Sequence, residues 1–441
     1  MHKLVIENLM AIQKCELTLN RFVLLIGEQS VGKSTIIKSV FYMRHFPEIL
    51  LGQLERLAFE GIEGVDVKTT QLNSYDITAF RKPLRREITQ LFEKIFGLSF
   101  EKKGLRVRYY FSDEYWVENT TSQEGFLNLL FSPALEKKFK ELVQSVWEIY
   151  ALEISAQSEK EKTTRRVSVY RRLAKLVDSV FGTIDETNYI PAGRSMLTTL
   201  SNQLGRLDID GMDYANTRFN KQIMRLRENF QDGFNSTSNN QLLSMQRRIE
   251  KVLKGQYRYE NGSEYLYIDR YNRLPINFMS SGQQEMLWLL YSLYFWAMDE
   301  YKKDISTEKR MVLIEEPEAH LFPIAQKQVV ELIASFANAT GSSVIISTHS
   351  PYILTAFNNL LYAGHVGQKN GNAKAVNQVV SKDTWLNICE CSAYMVTSDA
   401  LSFITDVEMG EIIASKIDGV SQIINSEYSS LYAIDEESAH E

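Results

Sequence analysis

Residues 27–35 have the residue types and spacing of a loop that binds phosphate groups. They fit the pattern G-x-x-x-x-G-K-[ST], in which glycines let backbone N–H groups approach phosphate oxygens closely. In that pattern Lys33 supplies a positive charge to the β- and γ-phosphates, and the Ser34 hydroxyl is placed to ligate Mg²⁺. We therefore expect a nucleotide site here. Its residues are Gly27, Glu28, Gln29, Ser30, Val31, Gly32, Lys33, Ser34 and Thr35.

A second group of small polar residues stands immediately before a long apolar stretch that begins at Met286. The group consists of Ser280, Ser281, Gly282 and Gln283. Free backbone N–H groups, a hydroxyl and the positive end of a helix would meet at this point, which suits a γ-phosphate. The same pattern is also compatible with an ordinary N-capped core helix.

An apolar run at residues 311–314 ends in two adjacent carboxylates, Glu315 and Glu316, followed by a proline. Carboxylates at the end of a buried strand can hold Mg²⁺ through water and polarise an attacking water. We assign Glu315 to the metal and Glu316 to the water. Glu318 and His320, which follow, are expected to be surface residues.

A further apolar run, residues 343–348, ends at His349. A histidine at the end of a strand can contact phosphate or orient a water molecule. Lys33, Glu316 and His349 therefore form the predicted catalytic set.

The elements around these residues predict an α/β protein. A five-residue apolar run at 22–26 predicts a buried strand before the phosphate loop, and a helical pattern follows it. Alternation over residues 104–117 predicts an antiparallel hairpin, and Asn-Gly at 261–262 predicts a second one. Residues 134–182 predict two helices joined at 158–164.

Residues 187–195 predict a strand followed by a turn that displays Arg194. Two roles stay open for this arginine at the level of the sequence. It is either structural, or it contacts a phosphate or the other side of an interface.

The composition is that of a globular protein without a basic field. The chain has 441 residues, 44% of them hydrophobic and 24% charged, with a net charge of −6. Any contact with nucleic acid must therefore use local basic patches. Three cysteines form no disulfide framework, and neither a signal peptide nor a membrane span is evident, so we expect a cytoplasmic protein without membrane contact.

The order of the four motifs resembles the head of ABC-type ATPases, and more narrowly the AAA15/AAA21-type bacterial ATPases related to OLD proteins and RecF. The resemblance covers residues 1–45 and 256–365 well. It implies a P-loop NTPase head with a mixed sheet, an antiparallel β subdomain and an inserted helical region. The implied units are 1–130, first part of the head; 131–255, inserted helices with a strand near 187–195; 256–365, second part of the head; and 366–441, an α/β tail.

The resemblance also implies a head-to-tail homodimer, or a higher oligomer, with two ATP molecules and Mg²⁺ sandwiched between heads. Each phosphate loop would face Ser280 and Gly282 of the other subunit, and His349 would be the switch histidine. Two positions depart from the pattern. Glu315 stands where ABC heads usually carry aspartate, and Ser281 replaces the first signature glycine.

Two roles for such an ATPase remain open. It is similar to the ATPase subunits of the Septu and PARIS anti-phage systems, which implies regulation of a separate effector nuclease. OLD proteins carry a Toprim nuclease domain after the head, whereas residues 366–441 are few and lack its acidic clusters. The alternative is a RecF- or SMC-like repair ATPase that binds DNA through basic clusters at 81–86 and 165–175. A transporter motor fits less well, because of the long helical insertion.

Overall fold

The computed structural model describes most of the chain. The described residues are 2–60, 77–97, 104–122, 126–153, 159–182, 186–201, 213–231, 233–234, 237–302, 309–369, 371–397, 399–413 and 425–432.

The described part of the chain folds into α-helices and β-strands that alternate in its second half. The helices are α1 Lys33–Arg44, α2 Phe46–Glu60, α3 Ile77–Phe96, α4 Pro133–Glu153, α5 Glu159–Phe181, α6 Ser195–Thr199, α7 Tyr214–Leu226, α8 Asn240–Leu253, α9 Ser281–Lys302, α10 Pro323–Thr340, α11 Pro351–Gly367 and α12 Ala373–Val379. The strands are β1 His2–Leu9, β2 Ile12–Leu19, β3 Phe22–Ile26, β4 Arg106–Tyr110, β5 Trp116–Thr121, β6 Leu127–Phe131, β7 Glu186–Ile190, β8 Gln256–Glu260, β9 Ser263–Tyr267, β10 Arg273–Pro275, β11 Arg310–Glu315, β12 Ser343–Thr348, β13 Cys391–Val396, β14 Leu401–Phe403, β15 Thr405–Asp406 and β16 Glu411–Ile412.

A six-stranded sheet forms the centre, in the order β14-β13-β3-β12-β11-β7. Its strands are parallel except β14, which runs antiparallel to β13. Continuous apolar runs are typical of strands buried on both faces. In β3, Leu25 packs into one hydrophobic cluster and Leu24 into another on the opposite face. The strand predicted at residues 22–26 is therefore confirmed.

Two antiparallel sheets accompany the central one. The larger has the order β2-β1-β4-β5-β6 and the smaller the order β10-β9-β8. Both predicted hairpins are confirmed, as β4–β5 and β8–β9. At the second turn Asn261 and Gly262 have φ angles of 48° and 81°, and a type I′ turn requires positive φ at both positions.

Helices cover both faces of the central sheet. Helices α1 to α5 and the larger antiparallel sheet bury the cluster on one face, and α6 to α11 bury the other. Helix α9 is a core helix as predicted, with Trp288 and Leu290 fully buried. None of the described helices combines the length and the hydrophobicity needed to traverse a lipid bilayer.

The predicted connection at 158–164 is wrong for most of its length. Helix α5 already begins at Glu159, and residues 154–158 lie outside the described part. The polar run after residue 158 contains no Gly or Pro, and its Lys and Glu residues are good helix formers. Polarity alone was therefore an insufficient sign of a loop.

Strands from distant parts of the chain complete the central sheet. Strand β7, from the predicted helical insertion, pairs in parallel with β11. Strand β13, from the predicted tail, pairs in parallel with β3. The four proposed sequence units thus share one sheet, and their boundaries stay a prediction.

Candidate nucleotide-binding site

The parallel register of the central sheet brings the predicted motifs to one edge. Ile26 at the end of β3 pairs with Thr348, and Ser347 pairs with Glu315 at the end of β11. Neighbouring strands lie about 4.8 Å apart, so the residues that follow these three strands emerge side by side. The phosphate loop, His349 and Glu316 are those residues.

The loop at residues 27–35 requires its two glycines for different reasons. A Cβ on Gly27 would lie 2.2 Å from the carbonyl oxygen of Val396, in β13. Gly32 has a φ of +102°, and its Cβ would lie 2.3 Å from Ile12 Cδ1. Helix α1 begins directly afterwards at Lys33. The predicted order of strand, glycine-containing loop and helix is confirmed.

Lys33 lies folded over this loop. Its Nζ donates hydrogen bonds to the carbonyl oxygens of Gly27, at 2.7 Å, and Glu28, at 2.5 Å. Burial lowers the pKa of the ammonium, and the carboxylates of Glu316, Glu318 and Glu28 partly counteract that shift. The positive charge therefore lies within electrostatic reach of the carboxylates that follow β11.

The adjacent carboxylates Glu315 and Glu316 have different environments. Glu315 is buried, and its Oε2 accepts a hydrogen bond from the backbone N–H of Ala192 at 3.2 Å. Its Oε1 is buried without a hydrogen-bond partner among the described residues, as is the nearby Tyr189 hydroxyl, whose pKa burial and then the Glu315 carboxylate raise well above its usual value. Glu316 is partly exposed and has a positive φ of 43°, with its N–H donated to Ser347 O at 2.9 Å.

A divalent cation fits this arrangement on chemical grounds. An unsatisfied carboxylate oxygen inside a protein is costly unless a partner binds it, and Mg²⁺ prefers oxygen ligands. Glu315 Oε1 offers such an oxygen, and the exposed Ser34 at the start of α1 offers a hydroxyl.

Glu318 is buried, so its predicted surface position is wrong, whereas His320 is exposed as predicted. Turns after Pro317 bring Glu318 back beneath β12, where Oε1 accepts hydrogen bonds from Thr348 Oγ1 at 2.6 Å and His349 N at 2.8 Å. His349 Nδ1 lies 3.4 Å from the same oxygen and 3.9 Å from Glu316 Oε1. Glu318 thus positions His349, a role that the sequence analysis missed.

The segment Ser280–Gln283 forms a capping box at the start of α9. Gln283 Oε1 accepts the Ser280 N–H at 3.0 Å, and the Ser280 hydroxyl faces Gln283 N at 3.4 Å. Ser280 and Ser281 are exposed. A Cβ on Gly282 would lie 2.7 Å from the carbonyl oxygen of His320, so this glycine permits a close approach to the loop after β11.

Arg194 is not displayed on the surface, which rules out the phosphate or interface contact left open above. Its side chain is fully buried, and its guanidinium binds backbone carbonyls at the end of β11 and an acidic residue of α9. Burial lowers the pKa of Arg194, and the carboxylates of Glu285 and Glu315 oppose that shift. The interpretation that Arg194 has a structural role is therefore confirmed.

The structure thus brings Lys33, Glu316 and His349 together and leaves the start of α9 separate. Among the described residues, no hydrogen bond or ion pair joins residues 280–283 to residues 27–35.

Comparisons with known proteins agree with this chemistry. The sequence profile of a family described as "AAA ATPase domain" matches residues 118–354, more than half of the chain. That range includes β11 and the start of α9, while the phosphate loop precedes it. A curated relative, the lipoprotein-releasing system ATP-binding protein LolD of Neorickettsia sennetsu, is 24% identical over 98 residues, which are 22% of this chain and 38% of that protein.

Solved structures that this chain resembles include an SMC head domain and a recombination mediator protein. The SMC head domain from Thermotoga maritima has a TM-score of 0.37 and 10% identity, covering 92% of this chain and 98% of that one. The recombination mediator protein RecF has a TM-score of 0.28 and 10% identity, covering 91% and 97%. The α/β fold itself is evident from the sheet topology described above.

Replacing Glu318 tests its place in this site. Glu318→Ala removes the acceptor of the Thr348 hydroxyl and the His349 N–H, and should lower the free energy of unfolding by about 1–3 kcal/mol. Glu318→Gln keeps one acceptor oxygen, so the free energy of unfolding should fall by less. Urea denaturation at neutral pH measures both; equal losses in the two variants would contradict the assignment.

Proposed function

Because the chain belongs to the AAA ATPase domain family, we propose that it binds ATP at residues 27–35 and hydrolyses it to ADP and phosphate. One observation carries the proposal. The register of the central sheet sets the phosphate loop, Glu316 and His349 side by side.

In the proposed reaction Lys33 and the backbone N–H groups at the start of α1 bind the β- and γ-phosphates. Mg²⁺, held by Ser34 and Glu315, would neutralise phosphate charge. The oxygen of a water molecule attacks the γ-phosphorus, the bond to the β–γ bridging oxygen breaks, and Glu316 accepts the proton of the water. His349, positioned by Glu318, contacts the γ-phosphate or orients the water. Catalysis then rests on positioning and charge stabilisation.

We also propose that two copies sandwich the nucleotides. Ser280 is exposed, and large exposed apolar side chains lie close in sequence to three of the four motifs: Phe278, Phe322 and Tyr352. Exposed apolar residues concentrated around a functional site are typical of an interaction surface. In the dimer, Ser280 and Gly282 of each copy would cover the phosphate loop of the other.

Removing the ammonium of Lys33 should prevent nucleotide binding. In Lys33→Ala the phosphates lose their charged donor, and ATP should bind roughly 100-fold more weakly or undetectably. Isothermal titration calorimetry with ATP and Mg²⁺ measures this. Lys38→Ala, on the same helix but paired with Asp213 at 3.3 Å, is the control and should bind ATP as the wild type does. Unchanged affinity in Lys33→Ala would exclude residues 27–35 as the site.

Replacing Glu316 should separate binding from hydrolysis. Glu316→Gln keeps the shape of the side chain and removes the proton acceptor, so hydrolysis should fall by about 100-fold or more. ATP should still bind and hold the dimer together, which size-exclusion chromatography with light scattering would show. The control is Glu228→Gln, at an exposed glutamate. Hydrolysis by Glu316→Gln at the wild-type rate would show that the catalytic assignment is wrong.

We propose that the motion of this dimer regulates a separate effector, a nuclease in anti-phage defence. The support is the resemblance of the motif order to the ATPase subunits of such systems. A second candidate, direct DNA binding, is favoured by exposed basic side chains on α3 and α5: Lys82, Arg85, Arg86, Arg171, Arg172 and Lys175. Arg81, by contrast, is paired with Glu136 at 3.1 Å.

Two measurements separate these roles. Co-expression of the chain with the genes that flank it should yield a complex containing a second, nuclease-type chain, and ATPase activity of the isolated chain should not respond to DNA. Salt-sensitive DNA binding by the chain alone, with stimulation of ATP hydrolysis, would instead support the DNA-binding role.

A further inference from the structure

We propose that Arg194 and Glu285 act as a positioning pair that couples the two nucleotide sites of the dimer. The pair holds the first turns of α9, which begin after Ser280, to the end of β11, which Glu316 follows directly. The inference rests on the proposed function, since it concerns communication between two ATP sites.

The guanidinium of Arg194 holds the end of β11 through backbone groups. Nη1 donates to the carbonyl oxygens of Glu315 and Pro191, both at 2.7 Å, and Nη2 donates to the Glu316 carbonyl oxygen at 3.1 Å. The two residues predicted to serve metal and water are therefore fixed at their backbone by one side chain. Since the guanidinium is fully buried, no water can replace these contacts.

The same guanidinium holds the start of α9. Its Nε donates to the Glu285 carbonyl oxygen at 2.9 Å, and Nη2 lies 3.2 Å from Glu285 Oε1. The Glu285 carboxylate also accepts the backbone N–H groups of Arg194, at 3.0 Å, and Ser195, at 2.8 Å. Breaking a buried pair of this kind leaves an uncompensated charge, which costs several kcal/mol in typical cases. The two elements therefore move together.

Neighbouring contacts reinforce the connection. Thr198 Oγ1 donates to the Gln284 carbonyl oxygen at 2.7 Å, and Ala192 N–H donates to Glu315 Oε2 at 3.2 Å. Residues 191–199 thus contact α9 at one end and β11 at the other. A planar guanidinium presents five N–H donors on three nitrogens, whereas a lysine ammonium has three donors on a single nitrogen and cannot reach the same spread of partners.

Coupling follows from where the two connected elements act. In the proposed dimer, Ser280 serves the nucleotide bound by the partner copy, and Glu316 serves the nucleotide bound by its own copy. A shift of α9 on binding the partner's ATP would move the carbonyls of Glu315 and Glu316 through Arg194. Rigid, hydrogen-bonded connections of this kind are a physical route for coupling between sites. ATP hydrolysis should therefore be cooperative in ATP.

The test compares variants in the full-length chain. Arg194→Lys keeps the positive charge and loses the forked N–H donors of the guanidinium. Glu285→Gln keeps the shape of the side chain and loses its negative charge. The matched control is Arg248→Lys. Arg248 is another buried arginine, on α8, and its guanidinium pairs with Asp383 at 2.8 Å. Hydrolysis is measured against ATP concentration, with ATP binding and thermal melting measured on the same samples.

The wild type and Arg248→Lys should show sigmoidal dependence on ATP. In Arg194→Lys and Glu285→Gln the Hill coefficient should fall to about 1 and kcat by about tenfold, with half-saturating ATP changed by less than about threefold. A merely structural role would lower the melting temperature and leave the Hill coefficient unchanged.

Two results would overturn the coupling while leaving the proposed function intact. One is hydrolysis by the wild type with no cooperativity. The other is cooperativity in ATP that persists in both variants while thermal melting shows that both are folded. Absence of ATP hydrolysis by the wild type would overturn the proposed function and this inference together. If Arg194→Lys fails to fold, Glu285→Gln alone decides between these outcomes.

Discussion

The parallel pairing of β3, β12 and β11 is the constraint on which the candidate site depends. Parallel strands end at the same edge of a sheet, so three segments separated by up to about 320 residues of sequence emerge side by side there. Both faces of these strands are buried in separate hydrophobic clusters. A shift of one residue in any strand would exchange its side chains between the two clusters, so close packing in both clusters also fixes the register of the site.

Two charged side chains near this edge, Glu318 and Arg194, are buried although the surrounding core is largely apolar. Glu318 accepts hydrogen bonds from the Thr348 hydroxyl and the His349 N–H, and Arg194 donates to the carbonyl oxygens of Glu315 and Glu316. Arg194 is satisfied by several hydrogen bonds and Glu318 by two to its Oε1, and such bonds are the condition under which burial of charge is tolerated. The partly exposed groups, Glu316 and His349, are held by these contacts and face the phosphate loop.

The buried Oε1 of Glu315 has no such bond in the described part of the chain. Glu318 Oε2 and the Tyr189 hydroxyl are likewise buried without a hydrogen-bond partner among the described residues, so several polar atoms at this edge are unsatisfied. A ligand of the site, rather than the fold, is the natural partner for such an atom. Large exposed apolar side chains also follow or precede three of the motifs in sequence, namely Phe278, Phe322 and Tyr352.

The sequence by itself determined the motifs and the elements next to them. Strand β3, its loop and α1, the two hairpins and the core helix α9 follow from local patterns, because periodicity and turn residues act over a few positions. It did not determine which charges are buried. From the sequence alone Glu318 and Arg194 are expected at the surface, and the polar start of α5 is expected to be a loop. Only the tertiary structure decided these points, since burial and pairing depend on partners brought together from about 30 to 120 residues away.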